Sequence, residues 1–349
     1  MTDQKSQLGT FDMNPIPAGK LPIDFLKQLL DKVEICDPRV VLGPKVGEDA
    51  ALIDIGDKFL VAKTDPITFA TDLIGWYLVQ VNANDIAAMG GKPLWLMSTL
   101  LLPENFNPQE IKDIFDQMIQ ACNQLGITLI GGHTEITYGL ERPIAIGAML
   151  GEVEKPMAVF TAGAKPGDSI VLTKNIAIEG TALLAREMQE SLEKNNVKKC
   201  SIEKAKALLF SPGISIIKES AIACKSVNVH SMHDPTEGGL ASGLLEIAHA
   251  AKVGLMIRSD RIPILPECEE FCEKLGIDPM GLIASGSLIV TVDPVDTETL
   301  INALVKEGIP AHEIGKITNI EEGLKLHTSN GIKNFPKFDR DELAKLLTK

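Results

Sequence analysis

The segment TDLIGWYLVQVNANDIAAMGG, residues 71–91, combines a helical apolar period with a carboxylate on its apolar face. At about 100° per residue, an apolar stripe runs along one side of the predicted helix, and Asp85 falls in its middle. The stripe is formed by Ile74, Leu78, Val81 and Ala88. An unpaired buried charge is costly, so Asp85 needs a cation, strong hydrogen bonds or a cleft. Either it pairs with a buried Lys or Arg or caps a loop, or it serves a metal or phosphate site.

Short apolar segments alternate with helical patterns along the rest of the chain. AALIDI and KFLVAKTD predict a β-hairpin, and LWLMSTLLL, ITLIGG and RPIAIGAMLGEV predict further strands. The second half repeats this mixture of strands and helices without a short tandem period. Hairpins mixed with helices indicate an α+β fold, with mixed α/β sheets, rather than regular parallel βαβ units.

The length of 349 residues suits two domains. A stretch with prolines and glycines, residues 154–168, predicts the boundary between them. The predicted organisation is a mobile leader over 1–22, a first domain over 23–155, a second domain over 156–335 and a C-terminal tail over 336–349.

Composition excludes several classes of function. A formal net charge of -13 argues against binding the phosphate backbone of nucleic acids, and a phosphate ligand would need magnesium to offset part of that charge. The sequence has neither a signal-peptide pattern nor an apolar run of about 18 residues, so no membrane span and a cytoplasmic location are expected. Only Cys268 and Cys272 of the six cysteines lie close together. Reduced thiols are favoured, with a metal or redox pair as the alternative.

Acidic and small residues follow two predicted strands. Asp65 comes directly after a strand beside Thr64, and this hydroxyl and carboxylate are hard oxygen ligands of the kind magnesium prefers. Turn formation is the alternative interpretation of this pair. LIGGHTE places Glu135 after the glycine pair Gly131 and Gly132, which makes Glu135 a ligand candidate; zinc is disfavoured because no second His or Cys stands at ligand spacing.

GPKVGEDAA lies just before a predicted strand. Its glycines and Lys45 could let backbone amides and an ammonium group approach phosphates, and Asp49 adds a carboxylate. The Walker sequence is missing, so the segment is not a P-loop.

HDPTEGGLASGLLEIA, residues 233–248, gathers polar groups and glycines at the start of a predicted helix. Free amides at a helix N-terminus attract anions, and Gly238 and Gly239 would let a phosphate approach the backbone. The alternative is an N-terminal capping arrangement formed by Asp234, Thr236 and Glu237. Together with the other acidic strand and helix ends, the motif favours magnesium-assisted handling of a polyphosphate.

The order GEDAA, TD, NAND, GGHTE, DPTEGG resembles that of the ATP-dependent superfamily related to aminoimidazole ribonucleotide (AIR) synthetase, the PurM-like proteins. DPTEGGLA is most similar to the hydrogenase maturation factor HypE, which usually has arginine where Glu237 stands here. The resemblance extends from about residue 25 to about residue 330. It implies an N-terminal domain that contributes strands to a dimeric β-barrel and a C-terminal α/β domain that covers ATP.

The resemblance also implies roles for individual residues. Magnesium and phosphates would be held by Asp49, Asp65, Asp85 and Glu135. The nucleotide would be contacted by Thr64, Asn84, Gly131, Gly132, Thr236, Gly238 and Gly239. Asp234, Asp85 and Lys45 would be catalytic, with Lys45 near the position of an N-terminal lysine in some relatives.

The implied activity is a HypE-like, Mg²⁺-dependent hydrolysis of ATP or phosphoryl transfer that activates a substrate oxygen, with a maturation protein as a partner. The sequence departs from HypE in ending DRDELAKLLTK, so that its last cysteine is Cys272 and no C-terminal cysteine can carry the substrate group. A small-molecule kinase or cyclo-ligase, and a non-catalytic nucleotide-binding assembly protein, therefore remain alternatives.

Overall fold

The computed structural model describes residues 19–70 and 72–347. The first half of this chain builds a six-stranded sheet in the order β1-β2-β3-β6-β4-β5. Its strands are β1 (Val40–Leu42), β2 (Ala51–Asp54), β3 (Lys58–Ile67), β4 (Lys92–Leu102), β5 (Thr128–Ile136) and β6 (Ile144–Glu154). Neighbouring strands are antiparallel except β4 and β5, which run parallel.

The second half builds a seven-stranded sheet in the order β13-β12-β9-β11-β7-β10-β8. Its strands are β7 (Ser169–Thr173), β8 (Val229–His233), β9 (Gly254–Arg258), β10 (Ile289–Val292), β11 (Ala311–Thr318), β12 (Leu324–Thr328) and β13 (Gly331–Asn334). Only β9 and β12 pair in parallel in this sheet. The expected mixed α/β fold is therefore confirmed, and so is the predicted hairpin, which is β2 and β3.

Helices pack against both sheets. In the described residues they are α1 (Ile23–Leu30), α2 (Ile74–Ala88), α3 (Pro108–Leu125), α4 (Ile178–Glu187), α5 (Gln189–Lys194), α6 (Lys199–Ala207), α7 (Ile217–Ser226), α8 (Gly239–Ala251), α9 (Pro266–Leu275), α10 (Thr297–Lys306) and α11 (Glu342–Leu347). Short helical turns lie between the end of the first sheet at Glu154 and the start of the second sheet at Ser169.

Helix α2 is the central helix of the molecule. It packs on β3 and β6 of the first sheet, on α3 beside it, and on α7 from the second half. Almost all of its residues are buried, because it is covered on every side rather than along one stripe. The helix predicted around Asp85 is thus confirmed, and its polar residues lie between the two halves of the molecule.

Both predicted ends of the chain are partly described. Residues 1–18 of the proposed leader lie outside the described residues, and Lys20 pairs with Glu246 at 3.3 Å. Within the predicted tail, α11 buries Leu343. The position of α11 depends on contacts with segments that are distant in the sequence, and local sequence patterns do not reveal such contacts.

The stretch of residues 199–226 is apolar and long enough to be considered as a membrane span. However, Ser211 has non-helical backbone angles and Pro212 follows it, so the stretch divides into α6 and α7. Helix α6 has 9 residues and α7 has 10, about half of what a bilayer core requires.

Candidate active site

Three carboxylates from separate parts of the chain meet where the two halves of the molecule join. Asp49 precedes β2, Asp85 lies on α2, and Asp234 directly follows β8. One oxygen atom from each lies within 4.8 Å of the other two, and all three residues are buried. We call this cluster the acid trio. It unites two acidic residues of the first half with one of the second.

The acid trio is electrostatically strained. Burial raises the pKa of Asp234 well above its usual value, and the neighbouring carboxylates of Asp85 and Asp49 raise it further. Burial likewise raises the pKa of Asp85, although Lys63 opposes this effect. Like charges in a poorly solvated site disfavour ionisation, so the trio needs added positive charge to be fully ionised.

Several oxygens of the acid trio have no hydrogen-bond partner among the described residues. They are Oδ2 of Asp49, Oδ2 of Asp85 and both side-chain oxygens of Asp234. Buried polar atoms are almost always satisfied in proteins, so these oxygens indicate a missing ligand. Carboxylate oxygens are the ligands that Mg²⁺ prefers, and the donor set therefore fits a magnesium ion.

Lys63 supplies a fixed positive charge beside the acid trio. It lies on β3, with Nζ 3.1 Å from Oδ1 of Asp85 and 3.9 Å from Oδ2 of Asp65. Burial alone would lower the pKa of Lys63, but these carboxylates raise it above its usual value, so the ammonium group stays charged. This residue was not among those predicted from the sequence. Its signal was the two-residue period of a strand, which puts Lys63 and Asp65 on the same face.

His233 connects the acid trio to α8. Its Nδ1 atom lies 2.7 Å from Oδ1 of Asp49, and its Nε2 atom lies 2.7 Å from Oε2 of Glu246. Burial would lower the pKa of His233, but the two carboxylates raise it well above the usual value. Lys20 contacts the other side of Glu246, and this contact was also missed from the sequence.

The loop that carries Asp49 is anchored to the second half of the molecule. The carboxylate of Glu48 accepts hydrogen bonds from the backbone N–H groups of Thr161 and Ala162, at 3.0 and 3.1 Å. Gly47 has φ +86°, and a Cβ atom there would lie 2.7 Å from the carbonyl oxygen of Glu246. Glycine is therefore required for this loop to approach α8 and hold Asp49 in place.

Two predicted residues help to build the surroundings of the trio rather than the trio itself. The hydroxyl of Thr64 donates to the carbonyl oxygen of Gly147 at 2.7 Å. Asn84 is fully buried, and its side chain donates to the carbonyl of Ile214 at 2.8 Å and accepts from the N–H of Ile216 at 3.0 Å. Asn84 thus fastens α2 to the second half, and both ends of its amide are already occupied.

The remaining predicted residues of the first half lie outside the acid trio. Glu135 is on the edge strand β5, where its side chain is half exposed and contacts His133 and Thr137. Gly131 and Gly132 are exposed on the same strand, and Lys45 is exposed on its loop. None of these residues belongs to the acid trio among the described residues, and their roles toward magnesium and ATP stay predictions.

At the start of α8, where the sequence predicts phosphate binding, two backbone N–H groups are already engaged. The backbone N–H of Gly238 donates to Oδ2 of Asp341 at 2.7 Å, and the N–H of Gly239 donates to the carbonyl of Thr236. Burial raises the pKa of Asp341 to about 7. The C-terminal segment therefore supplies the cap for α8, from a position 103 residues further along the chain.

Cys268 and Cys272 lie one turn apart on α9. Their sulfur atoms are 4.0 Å apart, both residues are buried, and both are free thiols. The acid trio is the only group of potential metal ligands found among the described residues, so these thiols have no third ligand there. This arrangement agrees with reduced thiols that pack in the core.

A cavity lies beside the acid trio, between the two halves of the molecule. It begins at Asp65 and reaches α4 and the residues before α8. Its walls are formed by Lys20, Asp65, Pro66, Ile67, Thr68, Phe69, Ala70, Val81, Glu179, Leu183, Thr236, Glu237, Ile283 and Ser285. Thr236 and Glu237 of the DPTEGG segment thus face this space, which adjoins the proposed metal ligands.

Two family profiles match the chain in tandem. Residues 47–153 match the N-terminal domain of AIR synthase related protein, and residues 165–325 match its C-terminal domain. The first range covers β2 to β6 of the first sheet, and the second covers β7 to β11 of the second sheet.

Curated relatives share sequence over most of the chain. A putative hydrogenase expression/formation protein of Methanocaldococcus jannaschii is 29% identical, over 90% of this chain and 92% of that protein. Carbamoyl dehydratase HypE of Cupriavidus necator is 31% identical, over 74% of this chain and 71% of that protein. Selenide, water dikinase 2 of Peptoclostridium acidaminophilum is 30% identical, over 77% of this chain and 74% of that protein.

Solved structures share the fold. A HypE–HypF complex contains a chain that matches with a TM-score of 0.72 at 21% identity, over 90% of this chain and 99% of that chain. HypE in complex with ATP matches with a TM-score of 0.71 at 20% identity, over 93% and 100% of the two chains. Both likenesses concern the whole two-sheet arrangement.

Proposed function

The chain belongs to the AIR synthase related protein family, and on this basis we propose that it is a HypE-like enzyme that uses ATP and Mg²⁺ to activate a substrate oxygen by phosphorylation. The observation that carries the proposal is the acid trio, with its buried and unpartnered oxygens at the junction of the two halves. The named activities of the relatives, carbamoyl dehydratase and selenide, water dikinase, support an enzyme of this kind.

The acid trio is the proposed binding site for Mg²⁺. Asp49, Asp85 and Asp234 would hold Mg²⁺, which supplies positive charge for the β- and γ-phosphates of ATP. Lys63 stays charged beside them and limits the repulsion between carboxylates and phosphates. Lys63 and Asp85 lie on β3 and α2 rather than on loops, which limits the reorganisation needed during the reaction.

The acceptor would enter from the adjoining cavity. An oxygen of the acceptor attacks the γ-phosphorus, and the bond to the β,γ-bridging oxygen breaks as ADP leaves. Asp65 lines the cavity and also contacts Lys63, which in turn contacts Asp85 of the trio. Asp65 would therefore lie on the acceptor side of the phosphates, where we propose that it receives the proton of the acceptor.

We further propose a homodimer in the cytoplasm, with residues 23–155 and 156–335 as its two domains. Strand β5 forms an edge of the first sheet, and its residues Ile130 and Ile136 are each about half exposed. An exposed apolar edge strand offers unpaired backbone groups and apolar side chains to which another chain can pair. A second copy that covers β5 would also add neighbours to Glu135. The HypE–HypF complex supports a maturation protein as a further partner.

A small-molecule kinase is the second candidate. The likeness to selenide, water dikinase favours it. The cavity beside the trio also favours it, because it could hold an acceptor that is a free small molecule rather than a group attached to a protein. Both candidates predict ATP turnover, and they differ in the acceptor. A nucleotide-binding assembly protein would bind ATP at the acid trio but would not hydrolyse it.

The test is the formation of ADP from ATP by the purified chain, with Mg²⁺ or with a chelator. A peptide with an S-carbamoylated cysteine, and separately selenide, would be added as acceptors. We expect Mg²⁺-dependent ADP formation that the carbamoylated peptide stimulates. Stimulation by selenide alone would favour the kinase, and Mg²⁺-dependent ATP binding without ADP formation would favour the assembly protein. An Asp85→Asn variant that is as active as the parent would contradict the metal-site proposal.

A further inference from the structure

The two carboxylate oxygens of Asp85 have different surroundings. Oδ1 lies 3.1 Å from Nζ of Lys63, whereas Oδ2 is buried and has no hydrogen-bond partner among the described residues. A metal ion held by the acid trio can therefore bind Oδ2 while Lys63 keeps its contact with Oδ1. The lysine and the metal site thus share one carboxylate without competing for the same oxygen.

Asp65 is a fourth carboxylate in this region, and it also contacts Lys63. Its Oδ2 atom lies 3.9 Å from Nζ of Lys63. Asp65 is not one of the three residues whose carboxylate oxygens lie within 4.8 Å of one another. The ammonium group therefore contacts one carboxylate of the acid trio and one outside it, which is a position that a metal ion could otherwise take.

Two contacts between β3 and α2 hold this arrangement in place. The side-chain amide of Asn82 donates to the backbone carbonyl of Asp65 at 3.3 Å, and Lys63 contacts Asp85 about one turn further along α2. Strand β3 is also paired with β6 over its whole length. The side chain of Lys63 is 22% exposed, so most of it is packed inside the molecule. The ammonium group is thus held beside Asp65 and Asp85 by the fold.

A metal ion between Asp65 and Asp85 would have to displace Lys63. A lysine side chain is charged at neutral pH, and like charges at ion-pair distance repel each other strongly where solvent screens them poorly. Asp65 and Asp85 are the acidic residues with which Lys63 makes ion pairs in the described part of the chain. A displaced ammonium group would lose both partners, and an unpaired buried charge is costly.

We propose that Lys63 is a built-in cation that confines metal binding to the acid trio and keeps Asp65 free of metal. The inference rests on the proposed function, since it divides the acidic residues of that site between the metal and the acceptor. The family resemblance implied that Asp65 holds magnesium, and the proposal assigns Asp65 to the acceptor instead. A carboxylate without a metal ion, at the wall of the cavity, is available to receive the proton of the acceptor.

The number of bound Mn²⁺ ions tests this role of Lys63. The full chain is titrated with Mn²⁺ and followed by electron paramagnetic resonance, with a saturating non-hydrolysable ATP analogue in every sample. We expect Lys63→Ala to bind one ion more per chain than the parent, because Asp65 and Asp85 can then share an ion. Two ions bridged by one carboxylate lie about 3.5–4 Å apart, so spin coupling should appear in the spectrum of the variant.

Lys58→Ala is the matched control. Lys58 lies on the same strand, but its ion pairs are with Glu152 and Glu154 at the surface. This variant should bind as many ions as the parent and show no spin coupling. Equal numbers of ions in Lys63→Ala and in the parent would overturn the proposal.

Asp65→Asn provides a second measurement if Lys63→Ala does not fold. The side chain of Asp65 is 33% exposed, so this replacement should leave the fold intact. If Asp65 holds no metal, the variant should bind Mn²⁺ within about threefold of the parent, because it loses only the field of a nearby charge. Loss of a charged ligand would weaken binding by at least about tenfold, and this result would also overturn the proposal.

Formation of ADP from ATP by the parent chain is measured in parallel. A parent that binds Mn²⁺ but forms no ADP contradicts the proposed function, and the ion count still decides the role of Lys63. A parent that forms ADP, with a Lys63→Ala variant that gains no ion, contradicts the role of Lys63 alone.

Discussion

The Nζ atom of Lys63 lies 3.1 Å from Oδ1 of Asp85 in the interior of the molecule. The sequence left two interpretations of Asp85 open, a partner lysine or a metal site, and the structure combines them. One oxygen of Asp85 contacts Lys63, while Oδ2 has no partner and lies in the acid trio. Lys63 therefore offsets part of the free-energy cost of burying the Asp85 carboxylate, but Oδ2 of Asp85 still has no partner among the described residues.

Replacement of Lys63 should destabilise the protein strongly. In Lys63→Met the charge of Asp85 loses its partner, and removal of one member of a buried ion pair costs about 3–5 kcal/mol. The measurement is urea unfolding with and without Mg²⁺, and we expect Mg²⁺ to restore part of the loss. Lys58→Met on the same strand breaks only surface pairs, with Glu152 and Glu154, and should cost less than about 1 kcal/mol. Equal losses in the two variants would refute this role of Lys63.

Asn84 should matter for the attachment of the two halves. Asn84→Ala leaves the carbonyl of Ile214 and the N–H of Ile216 without their partner, and two such groups cost about 2–4 kcal/mol. The measurement is again the free energy of unfolding. The exposed Asn123→Ala on α3 is the control and should change it by less than about 0.5 kcal/mol. A stable Asn84→Ala protein would show that this contact is not needed to hold the halves together.

Asp341 should make stability depend on pH. The folded state holds a proton on Asp341 up to pH of about 7, whereas the unfolded chain releases it near 3.8. The contribution to stability is therefore complete below the unfolded pKa and is lost as pH rises through the folded pKa. Between pH 5.5 and 8 this loss amounts to about 2 kcal/mol.

Asp341→Asn keeps an acceptor oxygen for the N–H of Gly238 but removes the titration. Its free energy of unfolding should fall less than that of the parent between pH 5.5 and 8, measured by urea unfolding at both values. The exposed Asp339→Asn is the control and should keep the parental dependence. An unchanged pH dependence in Asp341→Asn would be evidence that the carboxyl is already ionised in the folded state.

The proposed homodimer depends on the apolar edge of the first sheet. Ile136→Glu places a charge on β5 and should convert dimers to monomers, as measured by analytical ultracentrifugation. Ile320→Glu changes an equally exposed isoleucine in the second half and should leave the association unchanged. A parent chain that sediments as a monomer at all concentrations would contradict the dimer.

Local patterns predicted much of the fold but only part of the site. Helix α2 and the β2–β3 hairpin follow from periods of a few residues, and the inward direction of Asp85 follows from the same helical period. The family resemblance added Asp49 and Asp234. Contacts between distant segments were not readable from the sequence: Lys20 reaches Glu246 over 226 residues.

The start of α8 shows the same limitation. Its glycines suggested an open anion site, because a free N-terminus is the usual state of such a segment in isolation. Tertiary structure occupies part of this terminus, because Asp341 accepts from the N–H of Gly238, and phosphate binding there stays a prediction. The side of the DPTEGG segment that faces the cavity, with Thr236 and Glu237, stays open.

The most direct test of the account is a titration with Mn²⁺, as a paramagnetic substitute for Mg²⁺, followed by electron paramagnetic resonance in the presence of a non-hydrolysable ATP analogue. The parent chain should bind Mn²⁺, and Asp234→Asn should bind it at least about tenfold more weakly, because it removes one charged ligand. The control Asp260→Asn changes an exposed carboxylate and should bind as the parent does. Parental Mn²⁺ affinity in a folded Asp234→Asn protein would contradict the claim that the acid trio is a metal site.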